Sequence, residues 1–214
     1  MKDLSNYRKS YDKQNLHEDH ISNDPITLFQ KWFYEVEDSG TMDEPNAMTI
    51  STLGLDGYPK SRVVLLKKYT YEGFIFYSNY ESEKGKAIAR NPKVCLSFFW
   101  PAMERQVIIK GVAEKLADNL SDGYFESRPD GSKLGAIVSR QSEVIPSRET
   151  LDASLEKLEK AYIGKEIPRP EYWGGYLVRP YSIEFWQGRP NRLHDRIRFT
   201  LEEDYNWKIE RLAP

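Results

Sequence analysis

The sequence has few residues that form covalent or metal cross-links. It contains one cysteine, Cys95, and three histidines, His17, His20 and His194. A single cysteine cannot close an internal disulfide, and these four residues show no spacing typical of a zinc site. Cys95 lies within KVCLSFFW, where a small buried side chain is the expected role. The sequence therefore predicts neither a disulfide framework nor a zinc site.

The sequence also lacks an excess of one charge and a long apolar run. Its 214 residues carry 31 Lys plus Arg against 33 Asp plus Glu, a balance that does not favour a nucleic-acid or membrane-surface partner. The N-terminus MKDLSNYRKSYDKQ is polar, and no apolar run approaches the roughly 20 residues that span a bilayer. We therefore expect a cytoplasmic protein. No P-loop or dinucleotide-binding glycine fingerprint is present, so phosphate binding must depend on side chains.

Hydrophobic patterning predicts a mainly β protein of the α+β class. The segment DPITLFQKWFYEVEDSG predicts a helix with Asp24 as N-cap and Pro25 at the first helical position. ESEKGKAIARN predicts a short helix, and SRETLDASLEKLEKAYIG predicts a surface helix. Strand-like runs include AMTISTL, KSRVVLLKKY, GFIFYSN, KVCLSFFW, RQVIIKGVAEKL, GGYLVRPYSIEFWQG, RIRFTL and WKIERL. This pattern favours an antiparallel barrel with peripheral helices. We expect a flexible arm over residues 1–23 and a single domain over residues 24–214.

Several polar and cationic side chains cluster along the chain in positions suited to anions. They are Arg62 and Lys67 in SRVVLLKK, Tyr77, Ser78 and Lys84 at a predicted strand-to-helix junction, and Tyr124, Arg128 and Ser132 in YFESRPDGS. Ordinary structural roles remain open for single members: Lys84 as a solvated charge, Ser78 as a helix cap and Tyr124 as a core residue. In a regular strand Arg62 and Lys67 lie on opposite faces, which predicts two anions or a bulge.

The segment RLHDR, residues 192–196, carries alternating basic side chains. If it is extended, Arg192, His194 and Arg196 share one face, which favours an anion or ligand site. The alternative is an edge strand whose charged residues prevent unwanted pairing. These five residues by themselves do not decide between the two interpretations.

Seven motifs, in their order and spacing, carry a resemblance to a known family. SRVVLLK, ERQV, YFESRP, SRQS, WGGY, IEFWQG and RLHDR resemble the pyridoxine 5'-phosphate oxidase family over about residues 24–214. The resemblance implies a split β-barrel homodimer with two FMN sites at the subunit interface. It also implies oxidation of pyridoxine or pyridoxamine 5'-phosphate to pyridoxal 5'-phosphate in vitamin B6 biosynthesis and salvage, with dioxygen as acceptor and hydrogen peroxide as product.

The resemblance also implies a role for each matching residue. FMN contacts match Arg62, Val63, Val64, Leu65, Lys67, Tyr77, Ser78, Lys84, Gln106, Gln141, Ser142, Trp186 and Arg196. Substrate contacts match Lys67, Tyr124, Arg128 and Ser132 at the phosphate, Arg192 and His194 over the pyridine as the catalytic pair, and Arg8 and Tyr11 in the arm. Structural alternatives remain for some of them: strand-end amides for Gln106 and Gln141, a core role for Trp186 and a turn hydroxyl for Ser142.

One residue departs from the family pattern, and two other functions compete with the oxidase. Many relatives carry a basic residue immediately before the lysine that matches Lys84, but this chain has Glu83. A carboxylate beside the flavin phosphate weakens binding unless it points to solvent. The alternatives to the oxidase are another split-barrel flavin reductase, which uses a nicotinamide or deazaflavin donor, and a non-catalytic flavin or vitamin B6 carrier.

Overall fold

The computed structural model describes all 214 residues and contains five α-helices and nine β-strands. The helices are α1 (Pro25–Asp38), α2 (Glu83–Arg90), α3 (Asp118–Glu126), α4 (Asp130–Val138) and α5 (Arg148–Ala161). The strands are β1 (Ala47–Leu53), β2 (Pro59–Leu65), β3 (Lys68–Thr70), β4 (Gly73–Asn79), β5 (Lys93–Trp100), β6 (Arg105–Lys115), β7 (Trp173–Gln187), β8 (Asp195–Leu201) and β9 (Trp207–Arg211). None of the helices has the length and apolar character needed to cross a membrane.

The strands form one sheet in the order β2-β1-β5-β6-β7-β4-β3, and β8 pairs with both β7 and β9. Strand β7 is 15 residues long and has two antiparallel partners. Its first part pairs with β4, with Phe76 opposite Tyr176, and its last part pairs with β8, with Trp186 opposite Arg196. The predicted antiparallel, mainly β architecture is therefore confirmed.

The chain divides into two compact units, which are described separately. The first unit comprises residues 1–50, 95–111 and 180–214, and the second comprises residues 51–94 and 112–179. The sequence analysis treated residues 24–214 as a single domain with residues 1–23 as a separate arm. In the structure, the arm residues belong to the first unit.

Helix α1 supplies much of the core of the first unit. The Asp24 carboxylate accepts hydrogen bonds from the Ile26 and Thr27 amides at 3.0 and 3.2 Å, so the helix begins where the sequence predicts. The helix buries Phe29 against Phe98, with ring centroids 5.2 Å apart. It also buries Trp32, whose ring centroid lies 5.1 Å from that of Phe185. Each such side chain contributes roughly 1.5–3 kcal/mol through removal from water.

The second unit contains helices α2 to α5 and a separate apolar cluster. Phe125, Leu134, Ile167 and Trp173 form this cluster, and half-buried residues such as Leu155 of α5 pack against it. Helix α5 buries none of its residues completely, as expected of a surface helix. The sequence analysis assigned no helix to residues 118–138, where α3 and α4 lie. Neither helix has a side-chain N-cap, so the local signal that marks a helix start is missing.

The extended interpretation of residues 192–196 is wrong. Asn191 and Arg192 have positive φ values of 56° and 62°, and residues 190–192 form a short 3-10 turn. Strand β8 begins only at Asp195. Pro190 lacks the amide needed to continue a strand ladder, and the positive φ angles turn the chain. Arg192 and Arg196 therefore do not lie on one face of a single strand.

Candidate active site

The second unit contains a cavity of about 630 Å³ with a strongly cationic lining. Four of its lining residues are cationic and none is a carboxylate, which favours an anionic ligand. The lining residues are Arg62, Val63, Val64, Leu65, Lys67, Tyr77, Ser78, Asn79, Lys84, Tyr124, Arg128, Pro129, Ser132, Gln141 and Trp173. The cavity therefore brings together twelve residues that the resemblance matched to FMN or substrate contacts, from segments far apart in the sequence.

Lys84 lies in the first turn of α2 and is buried, with 7% of its surface exposed. Its Nζ donates hydrogen bonds to Ser78 Oγ at 2.9 Å and to Gln141 Oε1 at 2.6 Å. Burial, followed by the nearby charge of Arg62, lowers the pKa of Lys84 to about 8. The structure thus excludes the solvated-charge interpretation of this lysine. Its hydrogen-bond partners are neutral groups, so an anionic ligand would stabilise the charged form further.

Ser78 is also buried, and it lies near the end of β4 rather than at a helix cap. The N-cap of α2 is Ser82, whose Oγ accepts the Gly85 amide hydrogen at 3.2 Å. Lys84 Nζ lies 3.3 Å from the same Ser82 oxygen. The junction between β4 and α2 therefore places a hydroxyl and an ammonium group at one end of the cavity.

Arg62 and Glu83 carry opposite charges, and each has its own partners in the protein. Arg62 Nη1 donates to Thr52 Oγ1 at 2.7 Å and to the Lys60 carbonyl oxygen at 2.9 Å. The Glu83 carboxylate forms a 2.5 Å ion pair with Lys60 Nζ, and its side chain is 40% exposed. Glu83 does not line the cavity. Because Lys60 neutralises it at the surface, the weakening of flavin binding expected from Glu83 is reduced.

Lys67 reaches the same cavity as Arg62 because the strand that carries Arg62 ends early. Strand β2 stops at Leu65, and Lys67 lies in the connection to β3. The Lys67 amide donates to the Ile75 carbonyl oxygen at 2.8 Å, which holds this connection beside β4. The strand is not regular between the two residues, so the alternation that would put them on opposite faces stops before Lys67 and both side chains line one cavity.

An aromatic stack and an arginine form the other part of the cavity wall. The rings of Tyr77 and Tyr124 are stacked with centroids 3.8 Å apart, and Tyr77 stacks on Trp173 at 5.5 Å. The Arg128 guanidinium carbon lies 4.6 Å from the Trp173 ring centroid. Its Nη1 is buried and has no hydrogen-bond partner, and burial lowers the pKa of Arg128. A buried donor without an acceptor is costly, so a ligand oxygen is the expected partner.

Residues 141 and 142 lie in the connection between α4 and α5. Gln141 lines the cavity and accepts the Lys84 hydrogen bond described above. Ser142 is exposed, has a φ of 78° and is not among the cavity-lining residues. The position of Ser142 is therefore that of a turn residue at the edge of the site.

The first unit contains a second cationic cavity, of about 510 Å³. Its lining again lacks carboxylates and consists of Tyr7, Arg8, Lys9, Ser10, Tyr11, Arg189, Asn191, Arg192 and His194. It therefore brings together the four residues of the arm and of RLHDR that the resemblance matched to substrate contacts: Arg8, Tyr11, Arg192 and His194. The turn at residues 190–192 is the feature that places Arg192 in this cavity with His194.

Tyr11 and His194 line this second cavity, and the ring of Trp186 packs against both of them. The His194 ring centroid lies 4.7 Å from that of Trp186 and 5.8 Å from that of Tyr11. His194 Nδ1 accepts the Arg189 amide hydrogen at 3.0 Å. Burial, followed by the charge of Arg192, lowers the pKa of His194, so the neutral imidazole is favoured. With Nδ1 accepting a hydrogen bond, the neutral ring carries its proton on Nε2 and presents a donor there.

Three residues matched to FMN, Gln106, Trp186 and Arg196, lie in the first unit and line neither cavity. Gln106 is half-buried on β6. Arg196 Nε donates to Glu184 Oε1 at 2.8 Å, and Arg196 Nη1 donates to the Ala213 carbonyl oxygen at 2.8 Å. Arg196 thus has an acidic partner across the β7–β8 pair, which the sequence analysis did not identify. Pairing between strands that are distant in sequence hides such a partner.

Sequence reasoning missed several residues that line the two cavities. In the first unit these are Tyr7, Lys9, Ser10, Arg189 and Asn191, and in the second Asn79, Pro129 and Trp173. Trp173 had a detectable signal, because it belongs to the WGGY motif. The polar residues of the arm carried no periodic pattern that separated them from ordinary surface residues.

Comparison with protein families and with curated proteins gives one consistent result. Residues 38–161 match the family model described as pyridoxamine 5'-phosphate oxidase, and residues 173–214 match the pyridoxine 5'-phosphate oxidase C-terminal dimerisation region. The chain is 70% identical over 214 residues to the pyridoxine/pyridoxamine 5'-phosphate oxidase of Flavobacterium psychrophilum, with both chains fully covered. It is 47% identical over 211 residues to that of a Nostoc species, covering 99% of this chain and 98% of the relative.

Solved structures confirm the split-barrel fold. PhzG from Burkholderia lata, solved in complex with tetrahydrophenazine-1-carboxylic acid, superposes with a TM-score of 0.88 at 29% identity, covering 96% of this chain and 100% of that chain. A pyridoxamine 5'-phosphate oxidase-related, FMN-binding protein from Nostoc punctiforme has the same fold, with a TM-score of 0.72 at 13% identity, covering 91% of this chain and 100% of that chain.

The cofactor of this family is FMN, and the cavity of the second unit fits its phosphate. The buried Lys84 ammonium, the Arg62 guanidinium and the Ser78 hydroxyl are donors, and no carboxylate lines the cavity. Donors of this kind form charge-assisted hydrogen bonds with a phosphate dianion. The chain belongs to the pyridoxine/pyridoxamine 5'-phosphate oxidase family of FMN-dependent oxidoreductases.

Proposed function

We propose that this enzyme oxidises pyridoxine 5'-phosphate or pyridoxamine 5'-phosphate to pyridoxal 5'-phosphate. The observation that carries the proposal is the buried, unpartnered Arg128 Nη1 in a cavity without carboxylates. Such a donor requires an acceptor, and the phosphate of the substrate supplies acceptor oxygens with the matching charge. Relatives at up to 70% identity carry the corresponding name.

The substrate phosphate is bound by Lys67, Tyr124, Arg128 and Ser132. The Arg128 guanidinium carbon lies 4.6 Å from the Trp173 ring centroid, a cation–π contact that helps to hold the group, and a guanidinium can contact phosphate through two donors at once. The two hydroxyls and the Lys67 ammonium complete the set of donors. Binding energy at this phosphate, which takes no part in the redox step, aligns the reacting carbon.

The flavin contacts in this proposal are the thirteen residues that the resemblance matched to FMN. In the second unit these are Arg62, Val63, Val64, Leu65, Lys67, Tyr77, Ser78, Lys84, Gln141 and Ser142, and in the first they are Gln106, Trp186 and Arg196. Arg196 keeps Nη2 for this contact, since its Nε and Nη1 already have protein acceptors. Bound FMN would supply the redox chemistry, as the acceptor of a hydride from the substrate C4' carbon and the donor of two electrons to dioxygen.

Arg192 and His194 position the pyridine ring, and Arg8 and Tyr11 close this part of the site. The neutral His194 donates from Nε2 to a polar ring substituent and does not act as an obligatory base. Arg192 places a planar guanidinium against the ring. For the alcohol, substrate plus dioxygen gives aldehyde and hydrogen peroxide. For the amine, a water molecule is also consumed and ammonia is released.

The working unit in this proposal is a homodimer with flavin at the interface. Support comes from the dimerisation-region model that matches residues 173–214. This region contains β7, β8 and β9 and therefore includes Trp186, Arg192, His194 and Arg196. Because the region that matches the dimerisation model also contains these predicted site residues, we expect loss of the dimer to disrupt the site.

Adding pyridoxine 5'-phosphate to the air-saturated holoenzyme tests the proposal. We expect equal amounts of pyridoxal 5'-phosphate and hydrogen peroxide, and a far lower kcat/KM for unphosphorylated pyridoxine. A flavin reductase instead consumes a nicotinamide or deazaflavin donor, and a carrier releases no peroxide. Either of these two results refutes the oxidase.

Arg128→Ala is the matched variant for the phosphate contact. We expect it to lose tenfold or more in kcat/KM with pyridoxine 5'-phosphate, because a charge-assisted hydrogen bond contributes roughly 1.5–3 kcal/mol. The kcat/KM for unphosphorylated pyridoxine should fall much less, so the ratio of kcat/KM between the phosphorylated and unphosphorylated substrates decreases. An unchanged preference in this variant removes Arg128 from the phosphate site.

A further inference from the structure

A buried carboxylate holds the N-terminal arm on the first unit. The side chain of Glu104 has no exposed surface. Its Oε2 accepts the amide hydrogens of Asp12 and Lys13 at 3.0 and 3.2 Å, and Lys9 Nζ lies 3.2 Å from Oε1. A buried carboxylate is costly unless its oxygens are paired. The position of the arm and the burial of Glu104 therefore depend on each other.

The backbone of Glu104 connects this anchor to the end of β7. Glu104 has a φ of 55° and a ψ of 40°, a left-handed conformation that is uncommon for residues other than glycine. Its carbonyl oxygen accepts the Gly188 amide hydrogen at 2.7 Å and a hydrogen from Gln187 Nε2 at 3.2 Å. Gly188 in turn directly precedes the segment that carries Arg192 and His194. The anchor is thus part of the framework of the second cavity.

Gly188 leaves the space into which the arm places Tyr11. A Cβ atom on Gly188 would lie 2.7 Å from Tyr11 Cγ and 2.8 Å from Tyr11 Cβ. Tyr11 contacts Trp186 edge-on, with ring centroids 5.8 Å apart. Tyr11 and Arg8 line the cavity together with His194. The location of both arm residues at the cavity therefore requires that the arm lies where Glu104 holds it.

We propose that Glu104 is a positioning residue for the oxidation, which holds the arm so that Arg8 and Tyr11 line the cavity beside His194. This inference rests on the proposed function, because it assigns Arg8 and Tyr11 to substrate binding. Glu104 itself does not line the cavity. Its loss therefore acts through the arm, by weakening substrate binding more than it slows the step after binding.

Amide hydrogen exchange in the holoenzyme tests the anchor without any measurement of activity. Glu104→Gln keeps the size of the side chain and the same backbone requirement but removes the charge. We expect the amides of residues 9–16 to exchange at least about tenfold faster, since a neutral oxygen accepts the Asp12 and Lys13 hydrogens more weakly and the new NH2 group cannot pair with the Lys9 ammonium. Glu37→Gln is the matched control, because it removes an exposed carboxylate in α1. It should leave this exchange unchanged.

Two further variants separate the anchor from general damage to the fold. Glu104→Gly relieves the left-handed backbone while removing the carboxylate, and it replaces Glu104→Gln if that protein does not fold. Gly188→Ala keeps Glu104 and blocks only the space that Tyr11 occupies. Both variants should speed exchange in the arm, and Gly188→Ala should do so most strongly around Tyr11.

Steady-state kinetics with pyridoxine 5'-phosphate complete the test. We expect KM to rise about tenfold in Glu104→Gln, matching the loss of arm docking, with a smaller fall in kcat and unchanged FMN content. Unchanged arm exchange, or faster exchange with an unchanged KM, overturns the inference. The proposed function fails separately, if the wild-type holoenzyme forms no pyridoxal 5'-phosphate.

Discussion

Two basic residues show how neighbouring groups set the protonation state of the site. Lys84 is buried beside Arg62, and its pKa is lowered to about 8. His194 accepts a backbone amide hydrogen at Nδ1, and burial also lowers its pKa. Both shifts disfavour the charged form in the free protein. A dianionic ligand favours the charged form of Lys84. The neutral form of His194 can donate a hydrogen bond from Nε2.

We predict that FMN binding takes up a proton above about pH 8. The phosphate dianion favours the charged Lys84, so its pKa rises on binding from the value of about 8. FMN affinity should therefore fall as the pH rises through this value. Calorimetry at about pH 8.5 in buffers of different ionisation enthalpy measures the uptake. Lys84→Met is the control, and it should show weaker binding and no uptake from this site. Equal proton uptake in both proteins contradicts the assignment.

The same shift has a predictable effect on the stability of the flavin-free protein. The folded pKa of Lys84, about 8, lies below its ordinary value of 10.5. Between these values the unfolded chain binds more protons, so the contribution of Lys84 to stability rises as the pH increases. Urea unfolding of wild type and Lys84→Met over this pH range measures the difference. If the two proteins keep a constant difference in free energy of unfolding, Lys84 does not have a lowered pKa.

Arg192→Lys tests the role of the guanidinium plane. The substitution keeps the charge but loses the planar group, so we predict retained FMN, a modest rise in KM and a larger fall in kcat. Flavin reduction by pyridoxine 5'-phosphate, followed by anaerobic stopped flow at saturating substrate, measures the effect directly. If Arg192 were only a surface residue of the turn, the substitution would be silent, with stability changed by no more than ~0.5 kcal/mol. A wild-type rate of flavin reduction therefore removes Arg192 from the aligning role.

At the scale of elements, the ends of strands and helices decide which side chains meet. Lys67 joins Arg62 because β2 ends at Leu65, and Arg192 joins His194 because a turn precedes β8. In both places a strict alternation of side chains predicts the wrong neighbours. The interruption of a strand is thus as important for the site as the strand itself.

Asp24→Ala should weaken the start of α1. The carboxylate accepts two backbone amide hydrogens and the Thr27 hydroxyl hydrogen. Its loss should lower the free energy of unfolding by about 1 kcal/mol. Urea unfolding at fixed FMN and protein concentrations measures this, because ligand and subunit concentrations shift apparent stability. Asp24→Asn retains one acceptor and should lose less. Equal stability of the alanine variant and wild type contradicts the assigned cap.

At the scale of the whole molecule, the predicted contacts divide between the two units. Lys67, Tyr124, Arg128 and Ser132 belong to the second unit, and Arg8, Tyr11, Arg192 and His194 belong to the first. The C-terminal region that matches a dimerisation model contributes Arg192 and His194. Each unit therefore presents its own group of predicted substrate contacts.

We predict that dilution releases flavin and activity together. In the proposed homodimer both chains contribute flavin contacts, so a separated chain has an incomplete site. Light scattering, flavin fluorescence and peroxide release over one concentration series measure the three properties under the same conditions. Excess FMN should shift all three transitions to lower protein concentration. A monomer that retains flavin and full activity refutes this prediction.

Local sequence determined the elements and the chemical nature of the site. Residues within a few positions of each other predict three features correctly. These are the N-cap of α1, the full extent of β4 and β5, and the surface position of α5. Capping, turn chemistry and hydrophobic periodicity act over such distances. The motifs from SRVVLLK to RLHDR also carried the resemblance to a flavin oxidase family, and the comparisons confirm that family.

Tertiary structure alone decided which of these groups meet and in what state. Lys84 meets Ser78 and Gln141 because β4 and α2 place them beside the segment that follows α4. Glu104 meets the amides of Asp12 and Lys13 across more than 90 positions in the chain. Side-chain burial, the resulting pKa shifts and the pairing of a buried carboxylate depend on such long-range packing. No pattern within a short window of sequence contains that information, because the partners lie on other elements.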